Sequence, residues 1–465
     1  MNASRSVLLL NPPGNGVYIR DYYCSKVSRT NYTFPPVDLL HAGAVFQRRD
    51  WQARAIDAIV EGLDPNQTLE RIADDPPDAV FVMVGAVSVD EDATFLEALR
   101  KKLPDACVIG SGDVLREHGK AWIRRGLIDA AAMDFSSPST VRYAEGDRDD
   151  LDDLIYRVDD NIVEGPTSKG KHVDVGLPPH DLFAGLPYRF PFARHRPFAS
   201  VLSDFGCPYK CSFCIMASLH YHGRPIEELA AEFDALRGLG IREFMLWDQT
   251  FAVSRPRAMK FLELLPEGRE CFSWSCFTRP DCIDPELARA MAAKGCHTVI
   301  MGVETASAES LEAINKELTA GQMRTAFSAC RAAGMESAAT VIVGLPGERT
   351  EDIEATIEFV CELDPDYLSV HTAIPRAGTK LRKQMVEDGL ISEELANMDQ
   401  SGEVTALASD TLDAETIVRL RKRFNRRFYL RPSKLLRLAR LSLAHPGRLL
   451  EQFLEGYTLI WKSST

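Results

Sequence analysis

The stretch "SDFGCPYKCSFCIMAS", residues 203–218, sets Cys207, Cys211 and Cys214 at intervals of four and three. Thiolates on so short a loop can converge on one metal centre. Three of them on a four-iron four-sulfur cube leave one iron without a protein ligand, open to a small molecule. The competing arrangement is a zinc knuckle, with His220 or His222 of "SLHYHG" completing a Cys3His tetrahedron. Cys24, Cys107, Cys271, Cys276, Cys282, Cys296, Cys330 and Cys361 lack such spacing and read as packing residues. Eleven cysteines, an odd count, behind an apolar run of only Val7 to Leu10 point to reduced thiols in the cytoplasm rather than a disulfide framework.

A loop of this kind needs a scaffold. From Phe198 the chain alternates candidate strands, "FASVLSD", "EFMLWD", "FSWSCF", "HTVIMGVE", "SAATVIVG" and "YLSVHTA", with helical stretches at 226–239, 256–265, 285–294, 320–333 and 350–363. Six βα units predict a partial β/α barrel whose chemistry gathers where strands end, and the cysteine loop follows the first strand. The opening 145 residues alternate in the same way ("SVLLLN", "AVFVMVG", "CVIGSG", "DAAAMDF") and predict a doubly wound, Rossmann-like α/β domain. Its ligand loops are "NPPGNG" from Asn11, "GAVSV" from Gly85 and "GSGD" from Gly110. Read this way, residues 1–145 are the front domain, 146–197 an acidic, Pro-rich linker, 198–380 the barrel and 381–465 a basic helical region.

The "CPYKCSFC" stretch resembles the CxxxCxxC signature of the radical S-adenosylmethionine (SAM) superfamily. "WDQTF" from Trp247, "TRPD" from Thr278, "GVETAS" from Gly302, "GLPGE" from Gly344 and "PRAGT" from Pro375 are similar to strand ends of the subgroup with an N-terminal cobalamin-binding domain. The resemblance implies a 4Fe-4S cluster held by the three cysteines, with SAM chelated at the open iron and cleaved by one electron from a donor such as flavodoxin or ferredoxin. It implies Phe213 near the adenine, Asp248 and Gln249 facing the SAM ammonium, Arg279 on its carboxylate, Glu304 on its ribose or amino group, and Gly344 lining the adenine side. Arg279 and Glu304 paired with each other as a barrel salt bridge is the bland alternative.

For the front domain the resemblance implies cobalamin at Asn11, Pro12, Ser88, Gly110 and Gly112. The lower-ligand motif DxHxxG is matched only loosely by "DLLHAG", where His41 comes one place late and reads as a helical histidine. Where relatives carry Gly-Glu, this chain has "MDFSSPST".

The net charge of −13 hides a basic end: between Arg419 and Arg448 stand eleven Lys or Arg and no Asp or Glu. Apolar residues at Leu420, Phe424, Phe428, Leu435, Leu438 and Leu441, with Pro432 between, read as two amphipathic helices. They can dock on the acidic body, lie on anionic lipid at the inner membrane face, or meet RNA phosphates, though no other feature resembles an RNA module. The reading that emerges is a cobalamin-dependent radical SAM C-methyltransferase for a lipid-like or natural-product substrate. Radical ring formation or rearrangement, and a zinc-bearing scaffold that binds nucleotides or RNA, are the alternatives. Tyr22, Tyr23, Cys24 and His371 are polar enough to handle substrate, and no spacing singles one out as catalytic.

Overall fold

The computed structural model describes residues 5–436, apart from 23, 29–30, 169–174, 268–270, 395–397 and 400–406. Its strands are β1 Ser6–Asn11, β2 Tyr18–Asp21, β3 Cys24–Val27, β4 Gln52–Asp57, β5 Ala79–Met83, β6 Cys107–Ser111, β7 Ala130–Ala132, β8 Leu154–Val158 and β9 Asn161–Glu164, then β10 Phe198–Val201, β11 Asp204–Phe205, β12 His222–Gly223, β13 Glu243–Leu246, β14 Ser273–Thr278, β15 Cys296–Glu304, β16 Glu336–Val343 and β17 Tyr367–Thr372.

The front sheet runs β4-β1-β5-β6-β7-β8-β9, parallel through β7 and antiparallel thereafter. β1 and β5 are almost wholly buried, as strands covered on both faces must be, and so read as unbroken apolar runs. The order of the five parallel strands reverses between β1 and β5, and at such a switch point open α/β sheets bind ligands. Two strands lie inside the stretch read as linker. β8 and β9 form a hairpin through Val158–Asn161, with Asp159 in the left-handed region at φ 51°, and extend the sheet to residue 164. β9 is mostly exposed, so it carries little of the apolar alternation that announces a strand.

The second sheet, β10-β13-β14-β15-β16-β17, is parallel throughout, as six βα units require. Its helices, Ile226–Gly238, Arg255–Leu264, Pro285–Ala293, Ala320–Ala332 and Thr350–Leu363, cover the outer face and fall within a residue or two of their expected bounds. The caps explain why they start where they do: Asp284 accepts from Leu287 N–H, and Thr319 and Gln322 form a capping box.

A single apolar core joins the two sheets. Leu9 of β1, Phe205 and Cys207 of the cysteine loop, and Met245, Trp247 and Ile300 on the inner barrel face belong to one cluster with Phe183, Tyr188 and Phe190 of the connecting segment. Helix Val37–Gln47 lies in this layer and is buried on all sides from Val37 to Phe46, so its apolar residues follow no single stripe. The ligand edge of the front sheet and the strand ends of the barrel thus face one interior.

The basic end divides as its charges suggest. Helix Ala414–Tyr429 buries Ile417, Leu420, Phe424 and Phe428 in the outer barrel core. Its outward cations meet acidic residues of the barrel, Arg423 with Glu354 at 2.7 Å and Arg427 with Glu358 at 3.2 Å, and just beyond its end Arg431 meets Asp364 at 3.0 Å. Docking on the acidic body therefore describes this helix. Leu438 and Leu441 lie outside the described residues.

Candidate active site

The cysteine loop leaves β10 and is pinned on three sides. Asp248, at the end of β13, accepts from the Ser203 and Asp204 N–H groups at 2.6 and 3.0 Å and from the Ser203 hydroxyl, fixing the departure of the loop. The Ser212 N–H donates to Ile314 O at 2.9 Å, and Ser212 O accepts from Leu381 N–H at 3.0 Å. Gly206 carries φ +68° where a Cβ would stand 2.4 Å from the His220 carbonyl, so only glycine lets the loop turn back against the segment that closes it.

Within this frame the three thiols are free of disulfides, Cys207 and Cys211 buried and Cys214 half-buried. Burial pushes the Cys214 thiol up to about 11, helped by Cys211 and Cys207 beside it. Burial raises Cys211 as well, against the opposing charges of Lys316 and Arg279. Cys207 Sγ is 3.6 Å from Thr250 Oγ1, and Arg279 Nη1 is 3.8 Å from Cys211 Sγ. Three free thiols on one pinned loop, with two cations beside Cys211, suit an anionic cluster, whose sulfurs such donors stabilise.

The zinc arrangement finds less support. His220 is exposed, and His222 stacks on Phe205 with centroids 4.8 Å apart and planes at 12°. Neither His222 nitrogen has a partner among the described residues. Among those residues, no group of three or more His, Cys, Asp or Glu side chains is close enough to share one ion, and a cube of irons holds its thiolates further apart than one ion does.

The residues expected to meet SAM make these contacts within the chain. Asp248 is wholly buried, and its oxygens accept hydrogen bonds from the loop. Burial, aided by the nearby Asp204 charge, pushes its carboxyl up to about 7. Gln249 is half-buried, with its amide nitrogen 3.3 Å from Trp247 O. Arg279 and Glu304 do not pair with each other. Arg279 forks onto Asp281 at 2.9 and 3.1 Å, donates to Lys316 O at 2.7 Å and lies 3.8 Å over the Tyr209 ring. Glu304 pairs with Lys316 at 2.7 Å, both side chains buried.

Glu304 sits at φ +62° where β15 shifts register against β16, a conformation a side-chain-bearing residue adopts only when its surroundings impose it. Lys316 is flanked by Asn315 and Glu317, both left-handed, and its ammonium is 6.0 Å from the Phe213 ring. Phe213 is half-buried and packs with Ile314, Ile342, Leu345 and Leu381. Gly344, φ +80°, would place a Cβ 2.7 Å from Ile417, and its N–H donates to Glu348 at 2.8 Å. Lys316, Tyr209, Thr250 and Asp281 are thus site residues that spacing alone does not mark; the string "INKELT" carries no signature.

At the front domain's edge, Arg20 from the β2–β3 hairpin fills the switch-point crevice. It donates to Asn11 Oδ1, Pro12 O and Pro13 O at 3.1, 2.7 and 2.9 Å and to Ser88 Oγ at 2.9 Å, and is paired with Asp92 at 2.9 Å. Asn11 also donates to Asp57 at 2.9 Å, and Ser88 to Asp92. These candidate cobalamin residues are therefore brought together, with their polar atoms bonded to one another. Gly110 faces Leu115, and Gly112, φ +152°, leaves no room for a side chain because a Cβ would lie 1.9 Å from Val84 O.

His41 is buried in helix Val37–Gln47 against Phe205 and Phe135 at 5.2 and 6.0 Å; burial, then the Arg224 charge, holds it well below its usual range, and Nδ1 has no partner among the described residues. Tyr22 is buried with its hydroxyl accepting from Arg116 at 2.6 Å, and His371 bonds Ser369 at 2.9 Å. Tyr23 and the Cys24 side chain lie outside the described residues.

Residues 204–360 match the family model described as "Radical SAM superfamily". The match begins one residue after Ser203 and takes in the whole cysteine loop and four of the six barrel strand ends. The barrel of this chain is thus matched as a radical SAM domain. An "Uncharacterized methyltransferase PH0819" of Pyrococcus horikoshii is 28% identical to this protein over 430 residues, 90% of this chain and 86% of that one. "Tryptophan 2-C-methyltransferase" of Streptomyces laurentii is 26% identical over 208 residues, 40% of this chain and 34% of the relative.

Among solved structures, the radical SAM methyltransferase TsrM from Kitasatospora setae, bound to cobalamin and a 4Fe-4S cluster, superposes with a TM-score of 0.66 at 20% identity, covering 83% of this chain and 78% of that one. The cobalamin-dependent SAM radical enzyme OxsB superposes at 0.61 with 14% identity over 90% of this chain and 61% of that one. At these identities the likeness is one of fold: a Rossmann-like front domain followed by a radical SAM barrel, as the sequence predicts.

Proposed function

We propose that this radical SAM protein is a cobalamin-dependent C-methyltransferase acting at an unactivated carbon. The observation that carries the reading is the meeting of two edges: a loop with three free thiols at the mouth of a parallel barrel, joined through one apolar core to a doubly wound sheet. The chemistry the cofactors supply when bound is one-electron cleavage of SAM to methionine and a 5′-deoxyadenosyl radical, with methyl delivery through the corrin. Cys207, Cys211 and Cys214 would hold the iron, while Arg279 and Lys316 keep positive charge beside Cys211. Glu304, Gln249 and Gly344 border that space, and the switch-point loops around Asn11, Ser88 and Gly112 would receive the corrin.

The inner barrel face supports an apolar, flat substrate. Trp247 lies 4.0 Å from Phe34 and near Phe190 and Phe277, with its indole N–H unpartnered among the described residues. That N–H suits a substrate carrying one hydrogen-bond acceptor. Exposed Leu430, Leu435 and Leu436 beside the outward cations favour peripheral contact with an anionic membrane face, in keeping with a lipid-like substrate. A flavodoxin or ferredoxin would supply the electron.

Anaerobic reconstitution tests the reading. About four irons per chain, bound corrin, and methylated product formed together with 5′-deoxyadenosine and S-adenosylhomocysteine support it. 5′-Deoxyadenosine with an isomerised or cyclised product and no methylation would move the assignment to radical ring formation. Zinc in place of iron would defeat it.

A further inference from the structure

The loop after β17 makes contacts that neither strand-end chemistry nor barrel closure requires. Arg376 reaches out of the barrel to the front domain, where its Nε and Nη2 lie 2.9 and 2.8 Å from Asp113 Oδ2 in the "GSGD" loop. Its Nη2 also donates to Tyr22 O, in the β2–β3 hairpin turn, at 2.9 Å. Two residues on, the Gly378 N–H donates to Glu117 Oε1 at 3.0 Å, and Arg382 stands 2.7 Å from Glu117 Oε2. Glu117 belongs to helix Leu115–Arg124, which follows the Gly112 loop.

The opposite side of the same short segment holds the cysteine loop. The Leu381 N–H donates to Ser212 O, midway between Cys211 and Cys214. The Leu381 side chain packs in the small cluster that includes Ile314 and Phe213. Thr379 caps the helix by accepting from Arg382 N–H, so the residue that grips Glu117 and the residue that grips Ser212 are adjacent positions of one rigid helical turn.

We propose that residues 376–382 form a bracket that fixes the cysteine loop against the ligand edge of the front domain, with Arg376 as its positioning residue. The inference rests on the proposed function, in which two cofactor sites serve one substrate and their separation must be held constant. Ion pairs buried at a domain boundary suit that task, since they tolerate no shift without leaving a charge unpaired. A bracket of this kind couples the two loops, and loosening either grip loosens both.

Hydrogen–deuterium exchange on the full, cofactor-free chain tests this directly. Arg376→Gln is expected to speed exchange about tenfold in residues 110–118 and equally in 205–217, while helices Pro285–Ala293 and Ala320–Ala332 keep their wild-type rates. Glu117→Gln, at a more exposed position that folding tolerates, is expected to give the same two-site pattern at about threefold. Acceleration confined to 110–118, or spread evenly over the chain in the Glu117→Gln protein, overturns the bracket. Iron analysis of the reconstituted wild type separates the two readings: a chain that takes up no iron defeats the cluster assignment and leaves the exchange comparison standing.

Discussion

The Lys316 ammonium lies 2.7 Å from the Glu304 carboxylate, with both side chains buried beside Cys211. Burial alone would lower the lysine, yet the charges of Glu304 and Cys211 outweigh it and the pKa is raised, so Lys316 stays a cation at neutral pH. Removing one partner strands the other. Glu304→Gln is expected to destabilise the cofactor-free protein by roughly 3 kcal/mol, the usual scale for breaking a buried pair, read as a lower urea midpoint. In the reconstituted protein the same variant should raise the SAM concentration needed for half-maximal 5′-deoxyadenosine release, because a displaced Lys316 no longer faces Phe213.

Each cluster thiol should be individually indispensable for iron and nearly dispensable for folding. Cys207→Ala, Cys211→Ala and Cys214→Ala each remove one sulfur from a loop already pinned by Asp248, Ile314 and Leu381. Far-UV circular dichroism and thermal midpoints are expected to stay within a few degrees of wild type. Iron content and 5′-deoxyadenosine release under strict anaerobiosis should fall to background.

Asp248 separates a structural carboxylate from a ligand-binding one. Asp248→Asn keeps acceptors for the Ser203 and Asp204 amides and removes a buried charge, whereas Asp248→Ala leaves those amides unsatisfied at about 1–3 kcal/mol each. The alanine variant should therefore be clearly the less stable. The pH dependence has a definite sign. A carboxyl whose folded pKa rises from 3.8 to about 7 binds its proton more tightly folded than unfolded, so its share of stability declines as pH climbs between those values. Urea midpoints taken from pH 4 to pH 7 should show this decline in wild type and a flatter profile in Asp248→Asn.

Much of the architecture was legible because the parallel strands are buried on both faces and the turns between them need glycine. "SVLLLN", "AVFVM" and "ATVIV" announce themselves, and the cysteine loop follows from its spacing and its place after the first barrel strand. Much of what was not legible has one physical cause: contacts between separated segments leave no local pattern. Arg20 bonding Ser88, Lys316 pairing with Glu304 across a left-handed turn, and Arg376 reaching Asp113 are all of this kind. Asp248 holding the Ser203 and Asp204 amides is a further case, since a carboxylate at a strand end looks the same in sequence whether it meets a ligand or its own backbone. In the hairpin β8–β9, β9 was hidden because it is largely exposed and lacks an apolar alternation.

Two glycines at the front domain's ligand edge should respond unequally to the same small change. At Gly110 an added Cβ meets the far end of Leu115 at 2.8 Å, a flexible methyl that can move aside. At Gly112 it meets the Val84 carbonyl at 1.9 Å, from a backbone at φ +152° that side-chain-bearing residues avoid. The carbonyl cannot retreat without disturbing β5, because Val84 N–H is already bonded to Ser111 O at 2.7 Å. Gly112→Ala should therefore lower the thermal midpoint well beyond Gly110→Ala, by at least ~1 kcal/mol in stability. Corrin retention on a desalting column should be lost in Gly112→Ala and kept in Gly110→Ala; equal retention by the two variants would mean that the shape of this loop does not define the corrin site.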